Sequence, residues 1–393
     1  MKKVGIVTIY RNNKNFGGLL QAYALIKTVE KCGCKAEVFD YVQGGLSYKL
    51  HRFQNLGFHR TMQYFKNKLI TELNYRKHPD VHRGVLLRNK RLHDFEVSLP
   101  HSAPVGDAEV TQLAARYDCL IAGSDQIWNP GLWNPVMFLD IDGFKGCRFS
   151  YAASMGRDRL TAREASFLRK HIKSLDAVSV REESAGRIIS SVTGKSVLTV
   201  CDPTCLLNTD EWSQFAVRPN GVPDDFVFSF FLGENKNVKS AVYSHFKDKL
   251  PVVTIPHLQT GYKAEDEQYS DIKLYDVGCR EWVWLILNAR YIFTDSFHGT
   301  AFSVNLGRNF FSFPKGSKND KQSINSRLTD LLDMCSLKER FVDDISLFEE
   351  KLEMCSGDAA ASENFNLFKT NSFDFLRGML EHSETVTYET AAE

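Results

Sequence analysis

Near the start of the chain, "KVGIVTI" is a short β-branched run. The segment "GGLLQAYALIKTVEKCG" then places apolar residues at helical spacing and stops at a glycine, and "AEVFDYV" returns to strand character. Strand, helix and strand within about forty residues is the βαβ signature of a parallel sheet. The alternation resumes with "YDCLIAGS", "CRFSYAAS", a helix over about 161–173, "DAVSVRE", a helix from about 182 and "SVLTVCDPT". A second series runs through "DDFVFSFFLG", "VKSAVYSHFKDKL", "PVVTIPH", "REWVWLILNA", "RYIFTD", a helix after Ser296 and "RNFFSFP". From about residue 324 the pattern is helical only. It predicts an α/β protein of two Rossmann-like, doubly wound domains with a helical C-terminal tail. The suggested bounds are 1–205, 206–341 and 342–393, with a hinge in the stretch 202–225 and a tail able to pack back on the first domain.

Composition supports this without adding much. The 393 residues exceed what one core usually organises, and 43% hydrophobic with 25% charged residues is globular composition. A formal charge of +1 argues against a nucleic-acid partner. The average conceals a basic insert at about 46–95: between Leu46 and Asp94 eleven Lys or Arg face three acids, a net +8. Its bland reading is a solvated helical face. Its aromatics Phe53, Phe58, Tyr64 and Phe65 would also suit an anionic, lipid-linked glycan at a membrane surface. No apolar run has the length of a transmembrane helix and no signal peptide is evident, so the expected location is cytoplasmic, with peripheral contact at the inner face of the membrane as an option. Nine scattered cysteines without paired zinc-site spacing are expected to be reduced and mostly buried.

In open parallel sheets ligands bind outside the carboxyl ends of the strands. The polar segments there are "YRNNKNFGG", "GSDQIWN", "SYAAS", "SVREES", "DPT" and "TDSFHG". In the last, Thr294, Asp295 and Ser296 suit a helix start and Gly299 leaves room for close approach, so an anion site at the helix N-terminus competes with plain capping and an idle His298. "NFGGLLQ" has neither dinucleotide nor P-loop spacing. The D-x-D in "LDIDG" at 139–143 reads as a strand-end turn, so no metal is expected.

These six segments, in this order and together with "NSRLTDLLDMCSLKER", resemble the polysaccharide pyruvyl transferase family over roughly residues 4–341. The resemblance implies a glycosyltransferase-B-like fold, two Rossmann-like domains facing a cleft. It further implies transfer of the enolpyruvyl unit of phosphoenolpyruvate to two hydroxyls of a sugar, forming a cyclic ketal, with no cofactor beyond that co-substrate. The acceptor would be an oligosaccharide or lipid-linked glycan in exopolysaccharide or capsule biosynthesis. Within this resemblance the catalytic residues are His298, the general acid, and Arg181, the arginine of the "S-x-R-E" segment. Lys315 in "FPK" is a donor-binding lysine. Many members carry an arginine two residues before the histidine where this chain has Ser296, and Arg327 in "NSRL" is the candidate replacement. Ser296, Gly17 and Gly18 complete the donor-binding expectation; Ser124, Asp125, Gln126 and Asn15 form the acceptor-binding one.

The chemistry suits these residue types. Protonation of the donor's methylene carbon needs an acid active near neutrality, and histidine's unperturbed pKa of about 6.5 fits. Carboxylate and phosphate call for arginine's planar fork. Arg181 beside Glu182 and Glu183 has a competing reading as a strand-end ion pair, and "SDQIWN" one as a turn over a buried Trp128. At the level of function, the rivals are a glycosyltransferase with a nucleotide-sugar donor and a non-catalytic glycan-binding or assembly protein.

Overall fold

The structure, a computed structural model, describes residues 1–42 and 71–381 except 72, 74, 158, 257–266, 316–320, 356 and 358–361. Two parallel sheets organise them. In the first, β1 (Lys3–Val7), β2 (Lys35–Val38), β3 (Cys119–Ala122) and β4 (Cys147–Ser150) lie in the order β2-β1-β3-β4. Bridges Phe149 to Ala177 and Ala153 to Val180 extend this sheet to β5 (Ser179–Val180) and β6 (Leu198–Thr199). The second sheet contains β7 (Val227–Phe230), β8 (Val252–Thr254), β9 (Ile272–Lys273), β10 (Tyr291–Thr294) and β11 (Phe310–Ser312), ordered β11-β10-β7-β8-β9. The two-Rossmann expectation holds, and the strands and helices predicted within the described residues appear, except for the strand implied before "LDIDG". The two-residue edge strand β9 escaped the pattern, being too short to show a period.

Each sheet changes winding direction beside its first strand, between β1 and β3 and between β7 and β10. Ligands in such sheets sit at these switch points. The β1 side carries Thr8 and the helix Phe16–Lys31, and the β3 side carries Gly123 to Gln126. The β10 side carries Asp295 and the helix Phe297–Asn305. Apolar packing sets the two switch points against each other. Phe16 stacks on Trp282 of the helix Cys279–Asn288 with ring centroids 5.8 Å apart and also meets Phe230 at the end of β7. Such aromatic pairs contribute about 0.5–1.5 kcal/mol beyond their buried area.

The 202–225 stretch, expected as a hinge, is folded. A 3-10 turn, Pro203–Cys205, and the helix Thr209–Phe215 occupy it, and Trp212 is fully buried against Tyr23, Phe215 and Phe302. Asn208 caps that helix with a reciprocal bond from Glu211, a local signal for helix within an otherwise linker-like composition. The C-terminal helix Glu363–Glu381 touches the first sheet: Ser372 Oγ accepts from Cys201 N at 2.9 Å, and Phe375 meets Phe149 edge-on.

The basic insert is described only from 71 onward; the aromatics singled out within it lie outside the described residues. In the helix Pro79–Ser98, Arg88 is fully buried and its guanidinium donates to the carbonyls of Pro256, Leu274 and Tyr275 at 2.8–3.1 Å. Burial pushes this guanidinium down to about 10. Arg91 pairs with Glu281 at 2.9 Å. Arg88 therefore ties the helix to the strand ends of the second sheet, whereas Arg91 is partly exposed and Arg83 and Lys90 are exposed, as the solvated-face reading expected. The D-x-D follows a 3-10 turn (Pro135–Phe138) and not a strand as expected, and Asp140 accepts from His171 Nδ1 at 2.7 Å.

Candidate active site

His298 lies in the first turn of the helix Phe297–Asn305, 6% exposed. The helix starts there because Ser296 caps it, its Oγ accepting from Gly299 N at 3.3 Å. The imidazole is wedged against the start of the Phe16–Lys31 helix: a Cβ on Gly17 would stand 2.0 Å from His298 Nδ1. Nε2 points the other way, 3.6 Å from Asp202 Oδ2, and makes no hydrogen bond.

Asp202 is the buried hub of the site. Its Oδ1 accepts from Thr204 N at 3.0 Å and Thr204 Oγ1 at 2.8 Å, closing the turn after β6. Its Oδ2 accepts from Arg181 Nη1 at 2.7 Å and Ser124 Oγ at 3.4 Å. Burial alone would raise this carboxyl, but the charge of His298 at 3.6 Å and the charge and hydrogen bond of Arg181 outweigh it and hold Asp202 well below the usual carboxylate range.

Arg181 leaves β5 with a side chain 2% exposed. One amino group is fixed by Asp202, while Nε and Nη2, the edge that binds a carboxylate side-on, have no hydrogen-bond partner. Asp125 and Glu182 flank this edge at 3.6 and 3.8 Å without reaching it. Burial would lower Arg181, and the carboxylates of Glu182, Asp202 and Asp125 reverse that, so it stays charged. The guanidinium stacks over Phe297 at 4.1 Å, and Arg327 approaches the same ring at 5.9 Å. Arg327, from the helix Lys321–Met334, is lowered by burial and by the like charge of Arg181. With the Gln126 amide turned to offer its oxygen, Arg327 donates to it through Nη1 at 2.8 Å and Nη2 at 3.2 Å, leaving Nε unpartnered.

Of the expected site residues, the structure brings together His298, Arg181, Arg327, Gly17, Ser124, Asp125 and Gln126. Ser124 is fully buried, held through Gln21 Oε1 and Ala152 O, and Trp128 is buried beneath the loop as its competing reading required. Lys315 is one step removed. Its N–H donates to Asn325 Oδ1 at 2.9 Å, and its side chain runs beside Gly233 near Asp295. Asp295 latches the β7 loop, accepting from Leu232 N and Gly233 N at 2.6 and 2.7 Å. Three others are occupied with local structure: Ser296 caps as described, Asn15 caps the Phe16–Lys31 helix through Gly17 N at 3.1 Å, and Gly18 is covered by Asn13. Asp202 and Phe297 were given no role from sequence, and Glu182 only that of an ion-pair partner for Arg181. Each stood inside a quoted segment, "DPT", "SVREES" and "TDSFHG", so position at a strand end was the available signal.

Among the described residues, five of the twelve buried polar side-chain atoms that lack a hydrogen-bond partner belong to this cluster: Arg181 Nε and Nη2, Glu182 Oε2, His298 Nε2 and Arg327 Nε. An unmade buried bond costs about 1–3 kcal/mol, so their concentration makes this cluster the candidate site. No group of three or more His, Cys, Asp or Glu among the described residues is placed to hold a metal.

Among solved structures, the chain is similar to UDP-GlcNAc 2-epimerase from Methanocaldococcus jannaschii, at 10% identity and a TM-score of 0.52 over 97% of this chain and 100% of that one. It is also similar to the UDP-GlcNAc 2-epimerase from Neisseria meningitidis bound to UDP-GlcNAc, at 12% identity and a TM-score of 0.47 over 97% of this chain and 100% of that one. At such identity the first of these speaks for the fold alone, which is glycosyltransferase-B-like. No curated protein matches the chain in sequence. Residues 15–315 match the polysaccharide pyruvyl transferase family, and the chain belongs to that family.

Proposed function

We propose that the protein transfers the pyruvyl group of phosphoenolpyruvate to two hydroxyls of a sugar in an oligosaccharide or lipid-linked glycan, forming a cyclic ketal. The observation that carries this reading is the set of buried N–H groups without partners, on Arg181, Arg327 and His298, meeting where the two switch points face each other. Phosphoenolpyruvate presents a carboxylate and a phosphate on one carbon, C2, of a small frame. The free edge of Arg181 suits a carboxylate side-on, and Arg327, brought beside it over Phe297, stands in for the arginine that Ser296 replaces. His298 delivers a proton to the methylene carbon, which makes C2 cationic and open to a sugar hydroxyl. Phosphate departs and a second hydroxyl closes the ring. Lys315 and the helix starts at Gly17 and Ser296 add positive potential around the departing phosphate.

Among the described residues no helix is long and apolar enough to cross a membrane. We place the reaction in the cytoplasm, at the inner face of the membrane when the acceptor is lipid-linked.

Thermal shift in the presence of a chelator tests donor binding. Phosphoenolpyruvate is expected to raise the melting temperature without added metal. Stabilisation by UDP-sugars and not by phosphoenolpyruvate would favour the glycosyltransferase reading.

A further inference from the structure

The unpartnered atoms around Phe297 are of two kinds, and only one kind suits the donor. Arg181 Nε and Nη2 and Arg327 Nε are hydrogen-bond donors, and ionised phosphoenolpyruvate offers oxygens to them. Glu182 Oε2 is an acceptor, buried in a side chain that is 3% exposed. Phosphoenolpyruvate, with no N–H or O–H when ionised, has nothing to give it. The acceptor sugar does.

Resting on the reading of this site as pyruvyl-transferring, we propose that Glu182 is a catalytic residue whose Oε2 takes first the hydrogen bond and then the proton of the sugar hydroxyl that attacks C2. Glu182 follows Arg181 directly, so the group that holds the donor and the group that receives the acceptor leave the same strand end. Its Oε1 is fixed by the hydroxyl of Ser154, which aims the other oxygen. Arg181 Nε and Arg327 Nε stand 3.8 and 3.9 Å from Oε1, which puts Glu182 between the two donor-holding groups. It occupies the start of the helix Glu183–Thr193 but makes no side-chain cap bond, so the helix does not consume its carboxylate. Asp202, by contrast, has both oxygens engaged.

The C2=C3 electron pair takes the proton of His298 to form the C3–H bond. The sugar oxygen bonds to C2 as its O–H bond breaks, and that proton passes to Glu182. In the second half the C2–O bond to phosphate breaks with its electron pair, and Glu182 returns its proton to the leaving phosphate. The second hydroxyl bonds to C2 and its proton restores His298. A hydroxyl attacking a cationic carbon becomes strongly acidic, so a carboxylate suffices as base.

The test compares the parent with Glu182→Gln and Glu182→Ala. Phosphoenolpyruvate binding is read by calorimetry, and phosphate release is read with methyl galactoside, methyl glucoside and methyl mannoside as diol probes. Glu182→Gln is expected to bind phosphoenolpyruvate at least as tightly as the parent, because a negative charge beside the donor is removed, while phosphate release falls about 10²–10⁴-fold. Added formate is expected to restore part of the rate of Glu182→Ala by replacing the missing carboxylate. Near-parental turnover of Glu182→Gln overturns the proposal. So does loss of phosphoenolpyruvate binding together with turnover, which would make Glu182 a support for the arginines. Failure of the pyruvyl-transfer reading is read separately, on the parent alone: a parent that does not bind phosphoenolpyruvate by calorimetry overturns that reading whatever the variants do.

Discussion

The His298 ring lies so close to Gly17 that a Cβ on Gly17 would stand 2.0 Å from Nδ1 and 2.2 Å from Cγ. The glycine belongs to the first domain and the histidine to the second series of strands, so this contact sets the imidazole's position in the cleft. Gly17→Ala should favour the helix locally, by up to about 1 kcal/mol. It should nonetheless lower turnover about 10²-fold or more by displacing the general acid. In a His298→Gln background the same substitution should cost little further, since both act through one group. Independent, additive losses in kcat would separate Gly17 from His298.

Arg181→Lys keeps the charge and loses the Nε–Nη2 edge that lies free beside Phe297. Hydrogen bonds to charged groups are worth about 1.5–3 kcal/mol, so phosphoenolpyruvate affinity should fall about tenfold or more. Calorimetry measures this directly, and an unchanged dissociation constant would return Arg181 to the ion pair with Asp202.

Asp202→Asn removes the counter-ion of a fully buried guanidinium and should cost about 3–5 kcal/mol of stability. The pH dependence has a definite sign. The folded carboxyl is held below its unfolded value of about 3.9, so its contribution is complete above that value and is lost as pH falls toward the folded value. Denaturant unfolding across the acid range should show a shallower loss of stability for Asp202→Asn than for the parent. A parallel pair of curves would contradict the assignment.

Arg88→Met should destabilise the protein by about 1–3 kcal/mol for each of the carbonyls left without a donor, those of Pro256, Leu274 and Tyr275. Thermal unfolding reads the loss. A variant as stable as the parent would mean that water replaces the guanidinium there.

The elements were legible because each strand and helix carries its own period, as in "KVGIVTI" and "REWVWLILNA". The half of the site that follows chain position was legible too: Arg181 after β5, Ser124 to Gln126 after β3 and His298 after β10 all stand at strand ends. Convergence was not. Asp202 becomes the hub only because Pro203–Cys205 packs against the Phe297–Asn305 helix, nearly a hundred residues away, and Arg88 reads as a surface charge until three distant carbonyls bury it. Ser296 and Asn15 looked like ligand groups for the reason that makes them caps, since the same short polar side chain serves either purpose.

The central claim is that His298 protonates phosphoenolpyruvate for transfer to a sugar diol, and phosphate release from phosphoenolpyruvate, coupled to mass analysis of the acceptor, tests it most directly. The parent should release phosphate only with a suitable acceptor and leave that acceptor heavier by one pyruvic acid less one water. His298→Gln should bind phosphoenolpyruvate as the parent does and lose about 10²–10⁴-fold in rate. Pyruvylated product formed by His298→Gln at near the parental rate would contradict the claim.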